Sequence, residues 1–261
     1  MISLLGNLPP AGHGVYARGQ GIDYLKRFDF VAVNIDRGDA RATARALKAL
    51  GKGVWFYRTP GGWTPDRDDA VTIALHEDAV ADTGADGSIG DAENGWPGAD
   101  SIRALALSDA LRASIERGFR WGFTSYPEFR HREIFARSGA WGSPQVYRPS
   151  DLRLWDKWSA SFGMRMSIPS VSLWPSPQDY HFDQENYRPY LDAMPLARGS
   201  IGWTTGEGNG WMVSEYLSWS PSRDPVTRAL LFLQAYAPTP VGIAIIAALV
   251  VLFFLWMRMR R

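Results

Sequence analysis

The amino-acid sequence predicts an α/β protein, a (β/α)8 TIM barrel followed by a single C-terminal transmembrane helix. Short strand-like runs alternate with helix-like runs, which is the pattern of repeated βα units. The chain has 261 residues, and a single barrel of this class takes about 250. A long apolar run lies near the C-terminus. We therefore predict a barrel domain over residues 1–235 and a membrane anchor with a basic tail over residues 236–261.

The strand-like runs are short, and there are enough of them to close a barrel. Strands are predicted over residues 13–19, 29–36, 53–60, 87–94, 120–129, 141–149, 164–174 and 199–208. Helices are predicted over residues 37–51, 66–84, 98–118, 130–139 and 149–163, with a last helix near 222–235. An open doubly wound sheet is the alternative. Such a sheet usually has fewer strands and often a glycine-rich phosphate loop, and the sequence contains neither GxGxxG nor GxxxxGK[ST].

Composition excludes several classes of function. The 28 Lys+Arg nearly balance the 27 Asp+Glu, which gives no reason to expect a nucleic-acid partner. There is no cysteine, and no two of the four histidines have metal-ligand spacing, so we predict no metal and no cofactor. We expect the histidines at the surface or in loops. The 12 Trp, 10 Tyr and 12 Phe either stack on sugar rings or fill the core.

The apolar run predicts contact with a lipid bilayer through residues 241–257. These 17 uncharged residues would form a helix about 25 Å long, enough for a thin bilayer, and arginines follow them. The arginines favour a cytoplasmic C-terminus, while the N-terminus shows no signal peptide. Two locations stay open for this single-pass protein: a tail anchor in a cell membrane, or a place in a viral membrane as part of a larger membrane or virion assembly.

The predicted strands end in residues that suit a carbohydrate site, and barrel enzymes carry their chemistry at these ends. Asp36 either binds substrate or caps the helix that follows it. Arg58 either binds substrate or forms an ion pair with Asp91. Trp203, Tyr147 and Trp96 are candidates for stacking on sugars, and Trp203 is equally suited to core packing. The predicted substrate-binding residues are Asp36, Arg58, Trp96, Tyr126, Gln145, Tyr147 and Trp203.

The stretch GSIGDAEN places two carboxylates at the end of the fourth strand. Side chains alternate along a strand, so Asp91 and Glu93 should share the inward face with Ile89. Two carboxylates this close cannot both ionise cheaply, so the pKa of one should rise, as an acid that protonates a glycosidic oxygen requires. Glu128, after the next strand, is the third catalytic candidate. Alternatively, Asp91 and Glu93 are a loop pair that caps the next helix, and Glu128 is an acid near a helix N-terminus, where the helix dipole favours it.

Four segments together resemble the glycoside hydrolase family 25 lysozymes: DFVAVNIDRGD, GKGVWFYRTP, GSIGDAENGW and GFTSYPEF. The resemblance implies a barrel muramidase in which Glu93 is the proton donor and Asp91 a supporting carboxylate. The segment around Asp23 lacks the Ser and Gln that follow the first Asp in that family, and QVYRP lacks the acid of a later strand.

These observations support two hypotheses. The first is a membrane-anchored glycoside hydrolase that cleaves a cell-wall polysaccharide such as peptidoglycan by carboxylate acid–base chemistry, for example a phage-encoded lysis or entry protein. The alternative is a non-catalytic, membrane-tethered barrel that binds carbohydrate or forms part of a virion or surface complex.

Overall fold

The computed structural model describes residues 7, 10–58, 69–92, 101–126, 128–162, 169–173, 182–194, 199–204 and 206–219. These residues form an eight-stranded parallel sheet with helices between its strands. The strands are β1 Gly12–Ala17, β2 Phe30–Asn34, β3 Gly53–Arg58, β4 Gly87–Asp91, β5 Trp121–Ser125, β6 Trp141–Pro144, β7 Ser170–Ser172 and β8 Gly199–Trp203. The helices are α1 Ile22–Leu25, α2 Ala40–Ala49, α3 Asp69–Thr83, α4 Ser101–Glu116, α5 Arg132–Arg137, α6 Trp155–Phe162, α7 Tyr187–Asp192 and α8 Gly210–Ser218, and a 3-10 helix spans Pro149–Leu154.

The sheet closes into a barrel between β6 and β7. Each strand from β1 to β6 pairs with its neighbour in sequence, and β1 also pairs with β8, which pairs with β7. The remaining gap is bridged by Gln145 and Ser170, where the amide of Val146 donates to the carbonyl of Ser170 at 2.8 Å. The predicted (β/α)8 architecture is therefore confirmed: seven predicted strands contain an observed one, and the first overlaps β1, which begins one residue earlier at Gly12.

Large aromatic rings fill the bottom of the barrel, and glycines on neighbouring strands make room for them. A Cβ on Gly122 would lie 2.2 Å from the ring of Trp141, and one on Gly87 would lie 2.5 Å from the ring of Trp55. The two indoles meet edge to face, with ring centroids 5.3 Å apart. This layer is therefore specified by matched pairs of small and large inward residues. The interior cluster comprises Tyr16, Phe30, Ala32, Trp55, Tyr57, Ile89, Trp141 and Ile201.

The helices pack on the outward strand residues and form a second apolar layer. Phe123 on β5 stacks on Phe135 of α5 with centroids 4.1 Å apart, and both are buried. Because successive strand residues point to opposite faces, each strand contributes to both layers, and its last inward residue is left at the mouth of the barrel.

Some predicted elements differ from the structure or lie outside the described residues. Helices α1, α7 and α8 were not predicted, since each is short and its stability comes from packing rather than from a long periodic pattern. The predicted helix near 222–235 and the span at 241–257 lie outside the described residues. Within the described part of the chain, no helix is both long and apolar enough to cross a bilayer. Contacts divide the chain into Met1–Trp219 and Ser220–Arg261, and the predicted boundary at 235 stays a prediction.

The expectation that the histidines lie at the surface or in loops is wrong for His76 and His131, which are buried. His76 lies on α3 with no exposed surface, and its ring centroid is 5.2 Å from that of Trp121 on β5. Burial lowers the pKa of His76 to about 3, and the nearby charge of Arg58 adds to the effect. The folded barrel therefore holds this imidazole neutral.

We expect His76 to make the protein sensitive to mild acid. The unfolded chain binds a proton near pH 6.5, and the folded chain does so only near pH 3. The folded state is therefore not disfavoured by His76 above pH 6.5. As the pH falls from 6.5 towards 3, the unfolded chain gains a proton that the folded chain does not, and the free energy of unfolding falls by about 1.4 kcal/mol per pH unit. Urea unfolding at pH 7 and pH 5 should show about 2 kcal/mol more loss in the parent than in a His76→Phe variant. Equal losses would contradict the assignment.

Candidate active site

Asp91 lies at the mouth of the barrel, as its strand pattern predicts. It is the last residue of β4, two positions beyond Ile89, which belongs to the interior cluster. Ala92 instead packs in the outer layer with Phe123. The predicted alternation is thus confirmed for this part of the stretch. Glu93 and Trp96 lie outside the described residues.

Gln145 fixes the orientation of the Asp91 carboxylate. Its Nε2 donates to Oδ1 of Asp91 at 3.1 Å, and its backbone amide donates to the carbonyl of Ser125 at 2.8 Å. Gln145 is 6% exposed, whereas Asp91 is half-buried. The sequence predicted Gln145 as a sugar ligand, and the structure gives its amide a role in holding a carboxylate.

A cluster of hydroxyl groups lies in the barrel interior around Ser170. The Oγ of Ser170 is 2.9 Å from Ser143 Oγ, 3.4 Å from the phenol oxygen of Tyr16 and 3.5 Å from Thr124 Oγ1. Burial raises the pKa of the Tyr16 phenol far above its ordinary value, and the charge of Asp91 raises it further. Tyr16 is therefore a neutral hydrogen-bonding group and not a base.

Sequence reasoning missed Tyr16, Tyr57, Thr124 and Ser143 as parts of this interior. Burial also raises the pKa of Tyr57, with Arg18 lowering it and Asp91 raising it by smaller amounts. A signal was present: Tyr16, Thr124 and Ser143 each lie two residues, or one inward position, before a strand-end residue, and Tyr57 is itself the last inward residue of β3.

Tyr147 and Trp203 form what we call the aromatic rim. Their ring centroids are 5.9 Å apart with planes at 40°, and both side chains are half-buried. Trp203 is the last residue of β8, and Tyr147 follows β6. The guanidinium carbon of Arg18 lies 5.2 Å from the Trp203 ring centroid. The structure thus brings two predicted sugar-stacking residues together, with a cation above one of them.

Asp36 and Arg58 are paired with each other at the outer side of the mouth. Arg58 donates through Nη2 to Asp36 Oδ1 at 2.9 Å and through Nε to Oδ2 at 3.2 Å. Its Nη1 donates to Thr72 Oγ1 of α3 at 3.3 Å, because Tyr57 takes the inward position at the end of β3. The carboxylate paired with Arg58 is therefore Asp36 and not Asp91. The residue before α2 is Asp39, so Asp36 does not cap that helix.

Glu128 is exposed in the turn after β5, and Tyr126 before it is half-buried. Burial raises the pKa of the Asp151 carboxyl on the 3-10 helix, and the charge of Glu128 raises it further, against the opposing effect of Arg148. Glu128 is thus close enough to Asp151 for their charges to interact. Asp151 also accepts the backbone amide of Arg148 at 3.0 Å. Among the described ranges, no group of three or more acidic or histidine side chains could hold a metal ion.

Comparison with known proteins supports the fold and leaves the family open. No protein-family model and no curated protein matches the sequence. The barrel is similar to active domain 2 of the thermostable chitinase from Pyrococcus furiosus, solved as catalytic-site mutants with chito-oligosaccharides (TM-score 0.54, 12% identity, 90% of this chain and 99% of that chain). A second structure, the catalytic domain of the hyperthermophilic chitinase from the same organism, gives TM-score 0.54 and 12% identity over 89% and 98%. A xylose isomerase domain-containing protein from Salmonella typhimurium gives TM-score 0.47 and 15% identity over 87% and 99%.

The resemblance to the family 25 lysozymes is wrong. No family model matches the chain, and the similar structures with a TM-score of 0.54 are chitinase domains. The physical reason lies in the four segments, each of which covers one barrel strand and its end. Buried parallel strands are near-continuous apolar runs in any such barrel, so these segments report the fold and not the family.

Proposed function

We propose that the protein is a glycoside hydrolase that acts on a polysaccharide of N-acetylated amino sugars, the class that includes chitin and peptidoglycan. The observation that carries the proposal is the Asp91 carboxylate, oriented by Gln145 at the mouth of a barrel that also presents the aromatic rim. The similarity to chitinase domains supports this choice of substrate class at the level of fold.

Asp91 and Glu93 divide the chemistry between them. Glu93 donates a proton to the glycosidic oxygen as the bond from that oxygen to C1 breaks, and Asp91 stabilises the positive charge that develops on the sugar ring. A water molecule then adds to C1 and loses a proton to the Glu93 carboxylate. We assign the supporting role to Asp91 rather than Glu128, because Asp91 is an inward residue with a fixed orientation, whereas Glu128 is exposed near Asp151.

The test is the release of reducing ends from chitohexaose and from purified peptidoglycan by the full chain. A Glu93→Gln protein purified in parallel is the control, because a contaminating glycosidase would survive the substitution. Release by the parent and not by the variant is the expected result. No release from either substrate by a folded sample would reject the hydrolase and leave the non-catalytic binding or structural barrel.

We further propose that residues 241–257 anchor the barrel in a membrane, which would hold the site near a cell-wall polymer. The support is the uncharged run itself and the arginines that follow it. The full chain should stay in the membrane pellet after alkaline carbonate extraction, and a chain that ends at residue 235 should appear in the supernatant. Extraction of both would contradict the anchor, and the same fractionation applied to phage particles tests a place in a virion.

A further inference from the structure

We propose that Arg18 selects substrates that carry a carboxylate on the sugar at the aromatic rim, so that the enzyme prefers a carboxylated amino-sugar chain to neutral chitin. The inference rests on the proposed function, since it concerns the same mouth, and it names the substrate class more closely. It is carried by the position of Arg18, by its lack of an ion-pair partner among the residues that the structure describes, and by the distribution of charge around the mouth.

The backbone of Arg18 is held in place by two neighbouring side chains. Its amide donates to Oε1 of Gln20 at 2.6 Å, and its carbonyl accepts from Nη1 of Arg37 at 3.2 Å. The side-chain amide of Gln20 donates in turn to the carbonyl of Gly206, between β8 and α8. The residue after β1 is thereby braced against the loop that follows Trp203. A ligand that binds here pays little ordering entropy for the main chain.

The guanidinium of Arg18 is an exposed cation that contacts the aromatic ring of Trp203. It stacks over Trp203, and among the described residues it has no ion pair with a carboxylate. Many other arginines differ in this respect. Those paired with acids are Arg37, Arg41, Arg45, Arg58, Arg103, Arg117, Arg132, Arg148 and Arg188. Arg18 therefore keeps its charge and its edge N–H groups available at the mouth.

A carboxylate is the group that this arrangement fits. A guanidinium presents N–H groups at its edge, and two of them match the two oxygens of a carboxylate. Hydrogen bonds of this charged kind are about twice as strong as those to a neutral amide or hydroxyl. A sugar that stacks on the aromatic rim would bring its substituents beside Arg18.

The charges at the mouth are also separated in a way that favours an anionic sugar. Asp91 ends β4 and Trp203 ends β8, on opposite sides of the eight-stranded barrel, and Arg18 follows β1, the strand next to β8. A carboxylated sugar would therefore lie with its acid near Arg18 and away from Asp91. The reverse orientation would place two negative charges together and is disfavoured.

The experiment compares one ligand in two charge states. The probe is a tetrasaccharide of alternating N-acetylglucosamine and N-acetylmuramic acid, used as the free acid and as its methyl ester. Binding is measured by titration calorimetry with the full chain carrying Glu93→Gln, which prevents turnover. Arg18→Gln is the test substitution. Arg27→Gln is the matched control, since Arg27 is also exposed and lies over an aromatic ring, that of Tyr24, at 5.9 Å.

We expect the parent and Arg27→Gln to bind the acid about tenfold more tightly than the ester, and Arg18→Gln to bind both with the affinity of the ester. Equal binding of acid and ester by the parent, no binding of either, or a preference that persists in Arg18→Gln would overturn the inference. If Arg18→Gln does not fold, the preference in the parent must fall as salt is raised, and a salt-independent preference would overturn it instead. If the protein that keeps Glu93 cleaves its substrate but the acid is not preferred over the ester, only this inference is rejected. If the acid is preferred but the protein that keeps Glu93 cleaves nothing, only the hydrolase proposal is rejected.

Discussion

Replacing Glu93 with glutamine is expected to lower the rate of glycoside hydrolysis by about a thousandfold. General acid catalysis by a positioned side chain contributes roughly 10²- to 10⁴-fold, and glutamine has the shape of glutamic acid without its acidic proton. The leaving sugar oxygen would then depart unprotonated. The measurement is kcat for a chromogenic N-acetylglucosaminide oligomer, and KM should change little, because the variant keeps the side-chain volume and hydrogen-bonding atoms.

Glu133→Gln is the matched control for this prediction. Glu133 lies on α5 with its side chain 66% exposed, and its recorded ion pair is a long one of 3.8 Å to Arg132. This substitution should leave kcat unchanged within twofold or so. A Glu93→Gln protein with the rate of the parent would show that the proton comes from another group and would remove Glu93 from the mechanism.

Replacing Trp141 with alanine is expected to cost about 3–5 kcal/mol of folding free energy. The indole has no exposed surface, meets Trp55 edge to face and packs against the bare backbone of Gly122. Its loss leaves a cavity at the bottom of the barrel, where the surrounding strands cannot collapse. Since domains are stable by about 5–15 kcal/mol, this is a large share of the total. Urea unfolding followed by far-UV circular dichroism gives the difference directly.

The Trp141→Phe variant separates the contribution of ring packing from that of the indole N–H donor. It keeps a ring beside Trp55 and removes the indole Nε1, a buried donor that has no hydrogen-bond partner in the described part of the chain. We expect it to cost under about 2 kcal/mol, since less volume is lost and no donor is left unmade. Equal destabilisation by alanine and phenylalanine would mean that an aromatic ring packed beside Trp55 does not contribute to the stability of the barrel.

The inward residues of β4 contribute both to the barrel core and to the proposed catalytic site. One strand, β4, supplies Gly87 against the ring of Trp55, then Ile89 in the interior cluster, then Asp91 at the mouth. The layer that stabilises the barrel and the carboxylate that we assign to catalysis are thus successive inward positions of a single run. A change in its register by one residue would turn all three outward.

The sequence by itself determined the eight strands, the inward face of β4 and the carboxylate at its end. These features depend on the alternation of side chains along a strand, which is a local property and can be read from a few neighbouring residues. The family was not determined, because the quoted segments are those of any buried parallel strand. The short helices α7 and α8 escaped prediction for a related reason, since packing and not periodicity stabilises them.

Only the tertiary structure decided which side chains meet at the mouth. Gln145 reaches Asp91 across 54 positions of sequence, Tyr147 meets Trp203, and Arg58 turns outward to Asp36. Each of these contacts depends on barrel closure and on the relative register of strands that are distant in the chain. A residue's place on its strand is set locally, but its partner is set by the closed barrel, and so the sequence placed Asp91 and Trp203 at strand ends without identifying their partners.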